Sequence, residues 1–197
     1  ESVVKDEKTP VPETIRPSIA AFEKLRRERG IIFVPEFMER LVWSGRHRYA
    51  GTIDALGMVD GKFGVIDVKT STGFYPEYNL QTAAYVSALQ EIETKKAVDL
   101  PRDIETRWML RVDQKKLCQK CGATLREKGG RKKIRAPYGN GSSRLCAEPD
   151  HRWGELKGEA EIKEFPNIYK DIKAFIAAKT LWEWEHEYWL KHAGYLG

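Results

Sequence analysis

The chain has 197 residues, enough for one domain with a sizeable core and a small appendage. Charged residues make up 32% of it and the formal net charge is +5, a balance that favours a polyanionic partner. No apolar run reaches membrane-spanning length, no secretory signal is visible, and the three cysteines do not make a disulfide framework. The expectation is a cytoplasmic protein with no membrane contact.

Residues 1–15 are polar, carry Pro10 and Pro12, and read as a loose arm. Pro17 suits the first turn of a helix that ends at Gly30, with Ile19, Phe22 and Leu25 on one stripe. Its basic run, Lys24, Arg26, Arg27 and Arg29, is either a solvated face or one turned toward DNA. The β-rich segment IIFVPEFMERLVWS follows, with Pro35 marking an edge or a break. Glu39, and in a different register Glu36, fall on a strand expected beside the next one.

From Gly51 to Val59 apolar and small or polar residues alternate as in a half-buried strand. Asp60-Gly61 is a two-residue turn signal, and Phe63 to Val68 is a second β-rich run. Pairing about this turn brings Asp54 toward Asp67. Strand parity puts Asp67 and Lys69 on one face and turns Ile66 and Val68 into apolar packing. Two acids in so apolar a setting need neutralising. A Mg²⁺ or Mn²⁺ ion held by Asp54, Asp67 and the Val68 carbonyl would do so, with Lys69 orienting a water or stabilising transition-state charge. The helix LQTAAYVSALQEIETKK comes next and places Gln81 and Tyr85 on one face, where both can bond a phosphate or fix the lysine.

Residues 104–113 form another strand by composition, and Arg107 and Arg111 share its parity, which suggests a positive floor beside the acids. Between Lys115 and Arg135 nine Lys or Arg residues face one acid, Glu127. Cys118-x-x-Cys121 within this run has the geometry of a zinc knuckle, and Cys146 and His151 are the best remaining ligands for a structural Zn²⁺. Metal-free thiols and a redox pair are the competing readings. Residues 154–165 read as a strand pairing with 104–113, so that 115–155 is an insertion in a hairpin made mostly of short strands and turns. Helical periodicity over 167–190 puts Ile168, Ile172, Phe175, Ile176 and Leu181 on the buried side. The aromatic group Trp182, Trp184, Tyr188 and Trp189 suits packing, or an interface with a protein partner or a second copy.

The order Gly51-Thr52-Ile53-Asp54, Asp67-Val68-Lys69-Thr70-Ser71 and Gln81-Thr82-Ala83-Ala84-Tyr85 resembles the core of the PD-(D/E)XK nuclease superfamily, in its RecB-like exonuclease branch. Ile53 stands where the family name has proline. The likeness implies an α/β fold: a restriction-endonuclease-like core with a central mixed β-sheet flanked by helices (1–114 and 156–197), plus a small zinc-ribbon-like insert (115–155). It also implies a metal-dependent DNA nuclease, an exonuclease acting on single strands or ends. Asp54 and Asp67 would be metal ligands, Lys69, Gln81 and Tyr85 catalytic partners, and Glu39 would join the acidic cluster. Many members place a helix with a histidine or glutamate before the sheet; here that helix is absent, cropped or replaced by residues 13–29. The alternatives are an endonuclease of the same fold, or a nucleic-acid-binding or scaffolding module with a structural zinc. A pure binder has no need of the trio Asp54, Asp67 and Lys69.

Overall fold

A computed structural model describes residues 10–137 and 146–196. The first nine residues of the expected arm, and Gly139 and Gly141 of the insert, lie outside that range. The end of the arm is a 3-10 turn, Glu13–Ile15, which leads directly into helix α1, Arg16–Glu28. Pro17 sits in its first turn, Gly30 follows its end with φ +55°, and Phe22 is its buried apolar anchor.

The segment after α1 is broken as Pro35 demands. A two-residue strand β1, Ile32–Phe33, gives way to a 3-10 turn and then β2, Arg40–Ser44. The expected strand over Gly51–Val59 is two strands, β3 (Tyr49–Ile53) and β4 (Ala55–Val59), with the chain bending at Asp54. β3 pairs with β2 in a small separate sheet, whereas β4 enters the central one. Asp60 and Gly61, at φ 49° and 80°, make the tight turn to β5, Lys62–Lys69, with Val59 opposite Lys62.

Helix α2, Pro76–Gln90, starts earlier than the sequence pattern indicated and stops at Glu91, where a short α3, Ile92–Ala97, takes over. The chain then returns as β6, Thr106–Leu117, parallel to β5, and β9, Lys157–Glu164, lies antiparallel on the other edge of β6. Between them β7, Thr124–Lys128, and β8, Arg131–Arg135, form the hairpin of the insert. The result is a mixed sheet with helices on both faces. Phe22, Phe33, Ile66, Trp108 and Leu110 fill the α1 side; Ile53, Leu56, Phe63, Val65, Tyr85 and Leu89 fill the α2 side. Each such large side chain, when fully buried, stabilises the fold by about 1.5–3 kcal/mol.

The C-terminal helices α4, Tyr169–Glu185, and α5, Glu187–His192, correct one expectation. Ile168, Ile172, Phe175 and Ile176 are half-buried, with α4 packed on α2, but Leu181 is exposed. Trp182, Trp184, Tyr188 and Trp189 are exposed with it; in α4 the covered stripe runs on through Lys179 and Glu183, 16% and 19% exposed, which turns Leu181, Trp182 and Trp184 outward. Among the described residues no helix is long and apolar enough to cross a membrane.

Arg107 and Arg111 do not form a positive floor. Arg107 is 0% exposed and ties three elements together: it donates to the carbonyls of Asn79, Phe165 and Asn167, at 2.5, 3.0 and 3.2 Å, and pairs with Asp171. Burial lowers its pKa, and the hydrogen bond to Asp171 works against that. Arg111 is surrounded by Glu159, Glu161 and Asp113 at 3.4–3.8 Å. The two arginines share strand parity, but the face they occupy is covered.

Candidate active site and metal centre

The site lies where β5 ends. Pairing of β5 with β6 stops at Lys69–Arg111, and β7 joins β6 only from Lys116 onward. The opposite edge of β6 is filled by β9 and then by Gly154, which donates to the Leu117 carbonyl at 2.9 Å. β7 therefore occupies the same edge as β5, further along, and leaves a notch between them. Asp54 stands at this notch because the chain changes sheets there. Ala55 still pairs with Ile66, and the Asp54 side chain reaches past that last pair to accept a 2.7 Å hydrogen bond from the Val68 backbone N–H.

Asp67 and Lys69 share a face, as parity required. The Lys69 ammonium donates to Asp67 Oδ1 at 2.9 Å and lies 2.7 Å from Oδ2. It also donates to Gln81 Oε1 at 3.1 Å, and Gln81 Nε2 donates to the Tyr85 hydroxyl at 2.8 Å. One hydrogen-bonded string thus runs Asp67–Lys69–Gln81–Tyr85. Gly51 makes it possible: a Cβ there would lie 2.7 Å from Cε1 of Tyr85, so only glycine lets the ring lie against β3. Tyr85 is buried, and burial raises its pKa.

Asp67 is 1% exposed, and the Lys69 ammonium is the one partner of both its oxygens among the described residues. Burial pushes its carboxyl up, the Lys69 hydrogen bond and charge work against that, and Asp54 adds to the rise, leaving it at about 6. An acid so placed gains from a divalent cation more than from water it cannot reach. The N–H and C=O of one strand residue leave by the same edge, so the Val68 carbonyl points where its N–H meets Asp54. Two carboxylates and a carbonyl fit an oxygen-seeking ion such as Mg²⁺ or Mn²⁺. The Val68 side chain itself is 38% exposed rather than packed, since the core ends one residue earlier at Asp67.

Glu39 does not lie on a neighbouring strand of this sheet. It is an exposed residue in a left-handed bend, φ 52°, and its backbone N–H, not its carboxylate, meets Asp54 by donating to the carbonyl at 3.0 Å. Among the described residues, the one group of three or more metal-binding side chains with ligand atoms within 4.8 Å of one another is the Cys/His cluster described next. The α1 acids Glu23 and Glu28 pair with Arg26 and Lys24 of their own helix.

The insert brings Cys118, Cys121, Cys146 and His151 together within that 4.8 Å, close to the roughly 3.8 Å edges of a tetrahedron with Zn–S bonds of about 2.3 Å. The knuckle is built by backbone bonds: Cys118 N–H donates to Ala123 O at 2.8 Å and Gly122 N–H to Cys118 O at 2.9 Å, with Gly122 at φ +72°. Cys121 Sγ lies 3.6 Å from His151 Nδ1. Burial resists ionising Cys118, but the N–H groups of Cys121, Lys120 and Arg152, together with His151, hold its thiol at about 5. Burial and the two neighbouring sulfurs push Cys146 up to about 11. A tetrahedral cation such as zinc would remove that conflict.

The insert also reaches the notch. Lys128 donates to the Thr70 hydroxyl and carbonyl at 2.7 and 3.1 Å, and Arg135 to Thr72 Oγ1 at 2.9 Å. Arg126 pairs with Asp113 at 2.6 Å. Several of the insert's cations therefore hold the protein itself, while Arg131, Lys132 and Lys133 at the hairpin tip are exposed and make no ion pair among the described residues. Phe74, Tyr75 and Tyr78 stand beside the same loop and escaped notice in the sequence; three aromatics in five residues just after Asp-x-Lys-Thr-Ser were the available signal.

No family model and no curated protein matches this chain.

Proposed function

We propose that the chain is a divalent-metal-dependent DNA nuclease with a restriction-endonuclease-like core, of the RecB-like branch of the PD-(D/E)XK superfamily, acting as an exonuclease on single strands or ends. The observation that carries this reading is Asp67: a buried carboxylate at the end of an apolar strand, beside a second acid, Asp54, with Lys69 as its ion-pair partner. A structural ion pair would not need the second acid.

Asp54, Asp67 and the Val68 carbonyl would hold Mg²⁺ or Mn²⁺, which when bound supplies Lewis-acid polarisation of the phosphoryl group and a more acidic water. Lys69, held by Asp67 and Gln81, acts by orienting the nucleophile and stabilising charge on the phosphate. Gln81 fixes the lysine against the rigid Tyr85, so the donor is preorganised. Arg131, Lys132 and Lys133 supply salt-sensitive attraction to the backbone. The Cys3His cluster would bind zinc and hold the insert's hairpin against Thr70 and Thr72, next to Lys69.

The test is release of labelled nucleotides from linear single- and double-stranded DNA with Mg²⁺, with Mn²⁺ and with chelator. Hydrolysis that needs the metal and disappears in Asp67→Asn is expected. Full-rate cleavage by Asp67→Asn would refute the mechanism, and no cleavage by the wild type with either ion would favour the binding-module alternative.

A further inference from the structure

The nuclease reading leaves unused the aromatic group at the exit from β5. Tyr75 is 38% exposed at the start of α2. Its ring meets Tyr78 edge-on, with centroids 5.5 Å apart and planes at 85°, and the Tyr78 ring lies 5.2 Å from the Lys69 ammonium. The Tyr75 hydroxyl is anchored 2.6 Å from Thr72 Oγ1, which also accepts from Arg135 at 2.9 Å. Phe74 lies alongside, with the Lys163 ammonium 6.0 Å from its ring.

A solvent-facing ring costs free energy unless something covers it. Here the ring is also held in place, by a hydrogen bond at its hydroxyl and by a second ring at its edge, so stacking on it loses little side-chain entropy. Its surroundings are cationic: Arg135 touches the anchor, and Lys128 holds Thr70 five residues earlier. An aromatic face with cations beside it complements an unpaired base joined to phosphates. Bases within a duplex are already stacked on one another and have no free face to offer.

We propose that Tyr75, backed by Tyr78, is a stacking site for a base of single-stranded nucleic acid, with Arg135 and Lys128 beside the adjoining phosphates. The inference rests on the nuclease reading for its role, which is to lead a strand toward Asp67 and Lys69; the stacking itself needs no hydrolysis. Every base has a π-face, so the site is indifferent to sequence.

The test uses the zinc-loaded Asp67→Asn protein without added Mg²⁺ or Mn²⁺, so that nothing is cleaved and the insert keeps its hold on Thr70 and Thr72. Binding of fluorescent 15-mers of dT and of U is measured against an abasic strand and a duplex of the same length. Tyr75→Ala should weaken binding of both single strands by about tenfold and leave the abasic strand and the duplex unchanged. Tyr75→Phe and Tyr75→Trp should keep the affinity, which separates lost stacking from a damaged fold if the alanine variant is unstable. Strands carrying 2-aminopurine should be quenched on binding to proteins with an aromatic residue at 75 and not to Tyr75→Ala. Equal loss on the abasic strand, unchanged dT and U binding, or no quenching with any variant would overturn the proposal. A preference for dT or U supports stacking and names the strand. Stacking without hydrolysis by the wild type in Mg²⁺ would refute the nuclease reading alone; hydrolysis of single strands untouched by Tyr75→Ala would refute the stacking site alone.

Discussion

Replacing Asp67 by asparagine should make the metal-free protein more stable while removing its chemistry. Burial raises the carboxyl from 3.8 to about 6, and at 1.36 kcal/mol for each pH unit that difference is about 3 kcal/mol. Below about pH 4 the folded and unfolded chains both carry the proton and nothing is lost. As pH rises toward 6 the unfolded chain gives up its proton first, so unfolding releases a proton and stability falls; above about 7 the deficit levels off. Asparagine mimics the protonated acid at every pH. In urea with chelator, its advantage over wild type should therefore grow from near zero at pH 4 to as much as about 3 kcal/mol at pH 7, a midpoint shift of about 1–2 M. Adding Mg²⁺ or Mn²⁺ should restore stability to the wild type and not to the variant. A variant less stable than wild type at pH 7 in chelator, or a difference independent of pH, would refute the picture of a strained acid waiting for a cation.

Lys69→Ala should cost about 10²-fold or more in hydrolysis with little change in metal-dependent stabilisation, and a circular single strand should resist a protein that cuts linear strands readily. Gly51→Ala forces Tyr85 or β3 to move and should cost about 1–3 kcal/mol in urea unfolding, with loss of the Gln81–Tyr85 contact read from the tyrosine's absorbance. Arg107→Ala leaves Asp171 and three carbonyls without their donor and should destabilise by about 3–5 kcal/mol while the salt dependence of DNA binding stays the same; a weaker salt slope would mean that the arginine reaches DNA after all. Protein purified without added metal should contain about one zinc per chain, and stripping it, with Mg²⁺ restored, should slow hydrolysis about tenfold or more because Lys128 and Arg135 lose their hold on the loop after Lys69.

Much of the candidate site was legible in the sequence because local rules set it. The Asp60-Gly61 turn fixes the register of its two strands, and that register delivers Ala55 to Ile66 and hence Asp54 to the neighbourhood of Asp67. A period of two puts Lys69 on the Asp67 face, and helical spacing sets Gln81 beside Tyr85. The ligand spacing of the insert likewise anticipated a cluster that the fold closes to within 4.8 Å. What local rules do not contain is the identity of the layer lying across a face. Parity put Arg107 and Arg111 on one side of their strand, but only the docking of α2, α4 and β9 made them buried clamps instead of a floor for DNA. Alternation could not reveal that the chain changes sheets at Asp54, since both halves remain extended; that corner is decided by pairing with β2 on one side and β5 on the other. The same corner leaves Glu39 presenting its backbone to the site. The apolar residues of α4 promised burial for Leu181, yet the face that is covered runs through Lys179 and Glu183 instead, and Leu181 lies off it. The count of nine cations against one acid in the insert does not say what they meet; the hairpin takes the edge of β6 that β5 leaves and spends Lys128 and Arg135 on the loop beside Lys69.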